Sequence, residues 1–282
     1  MKNTPTKWIV ITGCSTGLGL SLVKAMREVG WGVVATARKK ESLDNLPEGE
    51  DLFKIDLDVL SDDSVHLAVK QCQHLRIVGL INNAGYGQVG PLEYLTTQEL
   101  KNQMETNVIG LHRVTNYFLP LIQRNARPGE GRIVHIASML GRITIPLAGA
   151  YTASKYAVVS LGEALRMELA PNIKVILVEP GAIRTEFRST ATKSWGDLPQ
   201  RVIGTRFEPI LERLLSYGKA ADKHWSQDPG QSATKIARAI NLLSPPRRIL
   251  IGPDAHIILL FSKLIPTSLF EFLARRIYGL TR

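Results

Sequence analysis

Short apolar runs alternate along the chain with stretches of helical periodicity. Runs of about five residues that are apolar almost throughout are typical of strands covered on both faces, as in a parallel sheet. Parallel neighbours need crossover connections, so the alternation predicts βαβ units and one doubly wound α/β sheet of the Rossmann type. The predicted strands are Trp8–Thr12, Gly32–Ala37, Leu52–Asp56, Ile77–Asn82, Arg132–Ala137, Lys174–Glu179 and, after the turn at Pro245-Pro246, Arg248–Gly252.

A glycine-rich loop follows the first predicted strand and leads into a helical pattern. Its sequence is Thr12-Gly13-Cys14-Ser15-Thr16-Gly17-Leu18-Gly19. Glycines let the backbone approach an anion, and the free N–H groups and dipole of a helix N-terminus favour negative charge. The arrangement therefore predicts a phosphate site, although the spacing is not that of Gly-x-Gly-x-x-Gly and a plain turn is the alternative.

Tyr151 and Lys155 are four residues apart, and Ser138 precedes them at the end of a predicted strand. Residues at i and i+4 lie one turn apart on the same helix face. We expect the ammonium to favour the phenolate and so to lower the tyrosine pKa from about 10. The phenol would then serve as a proton donor and acceptor near neutral pH. Alone, this pair is a weak signal because both residue types are common on helices.

Together these motifs resemble the short-chain dehydrogenase/reductase family, in its one-domain branch. The resemblance covers about residues 7–185 and is specific, because six elements occur in the family's order. They are the glycine loop, Asn82-Asn83-Ala84-Gly85, Asn107, Ser138, the Tyr151–Lys155 pair and Pro180-Gly181-Ala182-Ile183-Arg184-Thr185. The sequence around residues 162–171 and 178–181 is most similar to the hydroxysteroid and retinol dehydrogenase members.

The resemblance implies hydride transfer between a nicotinamide and a carbonyl or alcohol, with Asn107, Ser138, Tyr151 and Lys155 as the catalytic residues. Tyr151 would exchange a proton with the substrate oxygen, and Ser138 would donate a hydrogen bond to it. Lys155 would hold the nicotinamide ribose, and Asn107 a water of the proton relay. The implied cofactor contacts are Gly13, Ser15, Thr16, Gly17, Leu18, Gly19, Arg38, Asp58, Val59, Asn83, Ala84, Gly85, Tyr151, Lys155, Pro180, Gly181, Ile183 and Thr185.

The end of the second predicted strand bears on the choice of cofactor. It carries Arg38-Lys39-Lys40 and no carboxylate. An acidic residue at this position would bind a ribose 2′-hydroxyl, whereas an arginine accommodates a 2′-phosphate. The sequence therefore predicts NADP(H) over NAD(H), with a solvated basic turn as the alternative. Thr16 stands where some members carry a second basic residue, so the preference is expected to be less strict.

Two aspartates near the third predicted strand compete for the family's adenine contact. We assign it to Asp58 rather than Asp56, because Asp58-Val59 leads into Ser61-Asp62-Asp63, a sequence typical of a helix N-terminus.

Residues 186–228 are expected to form a substrate lid, by analogy with the family. Their bulky side chains predict either an apolar pocket wall or ordinary packing of the lid on the domain. The expected substrate is a hydrophobic ketone, aldehyde or alcohol with a steroid, retinoid or other lipid-like skeleton. The bulky lid residues are Trp195, Phe207, Leu211, Leu214, Leu215, Tyr217 and Trp225.

Residues 253–282 form a C-terminal extension that is both apolar and basic, for which a helical structure is predicted. From Arg247 to Arg282 there are six Lys or Arg against Asp254 and Glu271, which leaves a local charge of +4. No run approaches the roughly 20 apolar residues of a spanning helix. Three roles stay open: a flap over the cleft, an oligomer contact, or an interfacial helix on anionic lipid.

Composition and charge limit the partners, metal sites and cellular location that we expect. The net charge of +10 suits an anionic dinucleotide or a membrane surface, and nucleic acid is not expected because the cations are dispersed. Two cysteines give no disulfide framework, the histidines lack metal-ligand spacing, and the first strand begins too early for a signal peptide. We therefore expect a single cytoplasmic domain that holds no metal and assembles as a homodimer or homotetramer. Peripheral contact with a membrane surface stays open as an alternative.

Two other functions are compatible with a dinucleotide fold. A sensor that binds the cofactor without turnover would typically lose the tyrosine or the lysine, and this chain keeps both. A sugar-nucleotide epimerase or dehydratase would have a different glycine spacing and a larger C-terminal domain.

Overall fold

The computed structural model describes residues 5–212 and 226–280, and within them seven strands form one parallel sheet. The spatial order is β3-β2-β1-β4-β5-β6-β7, so the chain leaves β1 toward one edge and returns to continue from β4 toward the other. The strands are β1 (Trp8–Ile11), β2 (Gly32–Ala37), β3 (Leu52–Asp56), β4 (Ile77–Asn82), β5 (Gly131–Ile136), β6 (Ile173–Pro180) and β7 (Arg248–Ile251). The predicted doubly wound fold is confirmed.

Helices cover both faces of the sheet. Helices α1 (Gly17–Glu28) and α8 (Pro229–Ile240) pack on one face, and α2 (Asp62–Gln71), α4 (Gly110–Asn125) and α5 (Gly149–Leu169) on the other. The other helices described are α3 (Thr97–Met104), α6 (Phe187–Lys193), α7 (Leu198–Arg201), α9 (Pro253–Leu264) and α10 (Thr267–Ile277), and Glu105–Ile109 is a π-helical turn between α3 and α4.

The two-sided cover explains why the strands are apolar throughout. In β1, Ile9 and Ile11 face the layer of α1 and α8, while Trp8 and Val10 face the layer of α2 and α4. Successive side chains of a strand point to opposite faces, so both sets are removed from water. A sheet with one solvated face would instead show apolar and polar residues in alternation.

Arg132 fixes the amino-terminal edge of the sheet at β5. Its side chain is buried, and its guanidinium donates hydrogen bonds to the Ile240 carbonyl at 3.0 Å and to the Leu242 carbonyl at 2.9 Å. Further bonds reach the carbonyls of residues 129–131. A buried cation is tolerated when its donors are satisfied. Here they tie the end of α8 to the start of β5.

The predicted lid residues pack together beside the sheet. Trp195, Phe207 and Leu211 are buried and pack together, and Trp195 and Leu211 also line a cavity, so both alternatives stay open for the lid. Leu214, Leu215, Tyr217 and Trp225 lie outside the described residues. We call the cluster formed by Leu147, Trp195, Leu198, Val202, Phe207, Ile210 and Leu211 the lid cluster.

The C-terminal extension is helical, as predicted. Helix α9 begins directly after β7, and Tyr278 and Leu280, which follow α10, pack against the lid cluster. No residue of α10 is buried. Among the described residues, no helix has the length and apolar character needed to cross a membrane.

Candidate active site

The predicted site motifs meet at one edge of the sheet. The glycine loop follows β1, the stretch 83–85 follows β4, Ser138 follows β5 and the loop 181–185 follows β6. All these strands are parallel, so their carboxyl ends lie at the same edge. In open α/β sheets ligands bind there, at the point where the strand order reverses. In this sheet that point lies between β1 and β4.

Thr12 and Asn83 join the loops after β1 and β4. The Thr12 hydroxyl accepts the backbone N–H groups of Asn83 and Ala84, each at 3.0 Å. The Asn83 side-chain amide donates to the carbonyls of Thr12 at 2.9 Å and Gly13 at 3.0 Å. The Asn83 amide nitrogen is thus engaged with the glycine loop, which leaves the backbone and the amide oxygen for any cofactor contact.

The glycine loop lies too close to its neighbours for side chains to fit at Gly13 and Gly17. Gly13 has φ of +71°, and a Cβ there would lie 2.9 Å from the Ala84 Cα. Gly17 has φ of +61°, and a Cβ there would lie 3.1 Å from the Thr185 Cβ. The loop after β6 therefore closes onto the glycine loop. Backbone therefore lines the place where a dinucleotide phosphate would bind, and we call the region along these loops the cleft.

The N-terminus of α1 supplies donors to this cleft. The helix starts at Gly17, the Thr16 side chain does not cap it, and its first turn holds no acidic residue. The first N–H groups of a helix lack intrahelical partners and carry a partial positive charge. Together with the glycines, these donors fit the phosphates of a nicotinamide dinucleotide.

Tyr151, Ser138 and Lys155 come together as predicted from their spacing. The Ser138 side chain lies close enough to the Tyr151 hydroxyl to lower the pKa of the phenol. The Ser138 hydroxyl also accepts the Leu140 N–H at 3.1 Å and reaches the Pro180 carbonyl at 3.4 Å. Lys155 is buried one turn further along α5 and donates to the Ile136 carbonyl at 2.7 Å. A side chain on α5 and the ends of β5 and β6 thus form one polar cluster.

The prediction that Lys155 lowers the pKa of Tyr151 is wrong for this structure. Burial raises the pKa of Tyr151 to about 12, and the neighbouring Ser138 side chain only partly opposes this rise. Burial also lowers the pKa of Lys155 to about 8. The ammonium nitrogen points to β5 and lies 5.7 Å from the centre of the tyrosine ring. Loss of water disfavours the charged form of both groups and is the main cause of both shifts.

Asn107 lies buried in the π-helical turn and connects two parts of the site. Its amide nitrogen donates to the Tyr86 carbonyl at 2.9 Å and to the Ser154 hydroxyl at 3.0 Å, and its oxygen accepts the Tyr86 N–H at 3.1 Å. Both amide hydrogens are therefore used within the protein. The remaining capacity for a water is the second lone pair of the amide oxygen. Single π turns are frequent at functional sites.

Arg38 and Asp58 lie along the outer part of the cleft. Arg38 is exposed just after β2 and forms no hydrogen bond or ion pair with the described residues. The Asp58 carboxylate accepts the Leu60 N–H at 3.0 Å, and Val59 beside it is buried. Asp56 pairs with Ala37 across β2 and β3, so a carboxylate lies near the end of β2 after all. It accepts the Lys40 N–H at 2.5 Å.

The remaining predicted cofactor contacts lie in the loop after β6. The Gly181 N–H donates to the Ile251 carbonyl at 2.8 Å, and Ile183 forms a bridge with Gln227. The Thr185 hydroxyl accepts the Phe187 N–H at 3.2 Å. Ser15 and Leu18 lie in the glycine loop and at the start of α1, where Leu18 packs into the core. The loop after β6 is thus held from β7 and from the start of α6.

Two acidic residues that support the site were missed from the sequence. Asp254, in the first turn of α9, is buried and accepts the Ala182 N–H at 2.6 Å. Glu179 is buried at the end of β6 and forms ion pairs with Arg248 and, at 3.5 Å, with Arg142. Burial raises the pKa of Glu179 while the arginines oppose the rise. An acidic residue ending an apolar strand was the available signal, since a buried charge needs a partner.

Comparison with known proteins decides the family. Residues 7–195 match the family model described as short chain dehydrogenase. The chain belongs to this family. It is therefore an oxidoreductase of the dinucleotide-binding short-chain dehydrogenase type.

Characterised and uncharacterised relatives agree with this assignment. An uncharacterized oxidoreductase of Escherichia coli, YbbO, is 39% identical over 68% of this chain and 72% of its own length. A 3-ketodihydrosphingosine reductase of Bacteroides thetaiotaomicron is 32% identical over 96% of this chain and 98% of its own. Human 17-beta-hydroxysteroid dehydrogenase type 6 is 28% identical over 96% and 88%. The similarity to hydroxysteroid dehydrogenases is confirmed.

Solved structures share the fold and differ in cofactor. A short chain dehydrogenase from Burkholderia cenocepacia in complex with NADP has a TM-score of 0.70 and 25% identity, covering 94% of this chain and 96% of its own. A family member from Burkholderia phymatum in complex with NAD has a TM-score of 0.78 and 23% identity, covering 97% of each chain. The second likeness concerns the fold alone.

Two glycines with positive φ allow a test of the close approach at the glycine loop. Gly13→Ala should destabilise the dehydrogenase more than Gly30→Ala, because Gly30 has φ of +86° but open space around it. Backbone strain alone costs about 1–2 kcal/mol at either position. Denaturant unfolding of both variants measures the difference, and equal losses of stability would contradict the tight contact between Gly13 and Ala84.

The burial of Lys155 predicts a pH-dependent stability. Its pKa falls on folding from 10.5 to about 8, so between these values the unfolded chain binds more protons and stability rises with pH. Lys155→Met lacks this titration. We expect the free energy of unfolding of the variant to exceed that of the wild type by a constant amount below about pH 8. Toward pH 10.5 this difference should shrink by at most about 3 kcal/mol. Urea unfolding across this range measures it, and a constant difference would show that Lys155 keeps its ordinary pKa.

Proposed function

We propose that the protein is an NADP(H)-dependent oxidoreductase that interconverts a hydrophobic ketone or aldehyde and its alcohol, with Tyr151 as general acid and base. The observation that carries the proposal is the grouping of three side chains: Tyr151 on α5, Ser138 at the end of β5, which acts on the pKa of the phenol, and buried Lys155, which is one turn from the tyrosine and donates to the Ile136 carbonyl. This cluster lies at the sheet edge that also carries the glycine loop.

The proposed mechanism divides the work between cofactor and side chains. A bound nicotinamide dinucleotide would supply the hydride for reduction or accept it in oxidation. Because burial keeps the pKa of Tyr151 at about 12, the phenol is protonated at neutral pH and can give its proton to the substrate oxygen. Ser138 would donate a second hydrogen bond to that oxygen as negative charge develops.

Lys155 and Asn107 would support the proton transfer. The lysine ammonium uses one donor on the Ile136 carbonyl, which leaves its other donors for the ribose next to the nicotinamide. Asn107 would hold a relay water through the free lone pair of its amide oxygen, since its other groups are bonded to Tyr86 and Ser154. Both residues act by positioning and by replenishing the proton of Tyr151.

The cofactor preference rests on Arg38. Its guanidinium is exposed beyond the end of β2, where a ribose 2′-phosphate would lie, and the nearby carboxylate of Asp56 already accepts a backbone N–H from Lys40. Around the rest of the cofactor the proposed contacts are Gly13, Ser15, Thr16, Gly17, Leu18, Gly19, Asp58, Val59, Asn83, Ala84, Gly85, Pro180, Gly181, Ile183 and Thr185. These residues belong to the segments at and after the carboxyl ends of β1, β3, β4 and β6, along which we propose that an extended dinucleotide lies.

The substrate is proposed to be hydrophobic. The Phe187 ring, at the start of the lid, lies 5.4 Å from the Tyr151 ring, so the wall nearest to the reacting hydroxyl is aromatic. Relatives named as a ketodihydrosphingosine reductase and a hydroxysteroid dehydrogenase point to lipid-like skeletons. Residues 186–228 would act as the lid. As in many members of the family, we propose a homodimer or homotetramer, located in the cytoplasm.

The role of Tyr151 can be tested against a second tyrosine on the same helix. Tyr151→Phe should lower kcat for NADPH oxidation by about 10²–10⁴-fold because the proton donor is lost. Tyr156→Phe, at an exposed position of α5, is the matched control and should leave kcat unchanged. The assay follows NADPH oxidation with ketones and with steroid and retinoid carbonyls, and NADP⁺ reduction with lipid alcohols, with NADPH affinity measured in parallel. Tight NADPH binding without turnover in the wild type would favour a dinucleotide sensor instead.

Arg38→Ala tests the cofactor preference. Loss of a charge-assisted bond to the 2′-phosphate should weaken NADPH binding by about 10–100-fold. NADH lacks that phosphate and is the internal control, so its affinity should stay the same. Fluorescence titration of both cofactors measures the ratio. Equal weakening for NADPH and NADH would mean that Arg38 supports the loop and does not select the cofactor.

A further inference from the structure

Helix α9 has two apolar sides, of which one has no partner among the described residues. Ala255 and Leu259 are buried against the domain. On the other side Ile257, Leu260, Phe261 and Leu264 are exposed, Leu264 to 73%. Their spacing of i, i+3, i+4 and i+7 makes them one continuous helix face. An exposed apolar stripe of this length marks an interaction surface.

Helix α10 continues the same character after Ile265-Pro266. None of its residues is buried, and Leu269, Phe272 and Ile277 are exposed, Ile277 to 71%. Glu271 and Arg275 project away from Leu269 and Ile277, whereas Arg276 projects between Leu269 and Phe272. We call the apolar surface of both helices the C-terminal face; it consists of Ile257, Leu260, Phe261, Leu264, Leu269, Phe272 and Ile277.

Cations accompany this face. Lys263, Arg275 and Arg276 are exposed at the ends of α9 and α10, against the single acidic residue Glu271 between positions 256 and 280. None of the three cations forms an ion pair with another described residue. Arg275 only reaches the Leu280 carbonyl, at 3.4 Å. Exposed apolar side chains beside unpaired cations are the composition of helices that lie at an anionic membrane surface.

We propose that the C-terminal face binds the headgroup region of a membrane that contains anionic lipid. The helices would lie along the surface, since none of the described helices can cross a bilayer. The charge distinguishes this partner from a second copy of the chain. A self-complementary contact would bring the same cations of both copies to one rim, whereas anionic headgroups attract all of them.

The position of the face relates it to the candidate site. Asp254, in the first turn of α9, holds the loop after β6 through the Ala182 N–H. At the other end, Tyr278 and Leu280 pack on the lid cluster. The two helices therefore connect the loop after β6 with the lid, at the edge of the sheet where the site lies. If the proposed function holds, membrane binding would bring the cleft next to a hydrophobic substrate dissolved in the bilayer.

The test is vesicle co-sedimentation of the full chain. Wild-type protein should bind phosphatidylcholine vesicles that contain phosphatidylserine, bind pure phosphatidylcholine less, and release at high salt. The double variant Leu260→Glu/Phe272→Glu should bind the phosphatidylserine-containing vesicles with an affinity lower by about tenfold or more. Leu243→Glu is the matched control: this leucine is 93% exposed, lies before β7 at the opposite edge of the sheet, and its change should leave binding intact. Point variants are required because truncation after Gly252 would remove Asp254.

Two further measurements separate the outcomes. Equal vesicle binding by the wild type and the double variant, or no binding by either, would overturn the proposal. A wild type that ignores vesicles but whose oligomer dissociates on Leu260→Glu/Phe272→Glu, by light scattering, would assign the face to contact between copies. NADPH turnover of a water-soluble carbonyl is assayed in parallel. Its absence in the wild type would count against the proposed function and leave the vesicle result unaffected.

Discussion

The joint between Thr12 and Asn83 is the contact on which the rest of the site depends. One hydroxyl and one amide form four hydrogen bonds between the loops after β1 and β4, on either side of the point where the strand order reverses. This holds Gly13 so close to Ala84 that no side chain fits between them. From Ala84 the chain continues to Tyr86, whose N–H is accepted by the Asn107 side chain. The Asn107 amide in turn donates a hydrogen bond to Ser154 on α5. The phosphate cleft and the tyrosine cluster thus share one framework of short polar bonds.

Much of this framework was predictable because its signals are local. Buried parallel strands are apolar on both sides, so the predicted strands agree with the observed ones to within a residue at each end. The N-terminus of α2 was read correctly, since Ser61 caps it by accepting the Ser64 N–H. The motifs after β1, β4, β5 and β6 converge because parallel strands end at a common edge. Membership of the family rested on the same motifs and is confirmed by comparison.

What the sequence did not reveal depends on burial and on partners far apart in the chain. The argument for Tyr151 counted the nearby charge of Lys155 and left out the loss of water, which dominates the pKa of both groups. Asp254 acts on a loop 72 residues earlier, and Glu179 meets Arg248 69 residues later. Asp56 reaches the end of β2 only because β3 pairs beside it. None of these contacts can be predicted from the spacing of residues in the sequence.

The π-helical turn at Glu105–Ile109 has a consequence for how this region can vary in length. It contains one residue more than a regular turn, and each residue of a helix turns its successors by about 100°. Asn107 before the junction faces α5, while Val114, Phe118 and Ile122 beyond it face the sheet. Deleting one residue would rotate one side of the junction against the other. Either Asn107 would no longer face α5, or the residues of α4 would no longer face the sheet. Substitutions can be absorbed along the segment from Thr97 to Asn125, but its residue count is fixed by geometry, and insertions or deletions belong in the neighbouring loops.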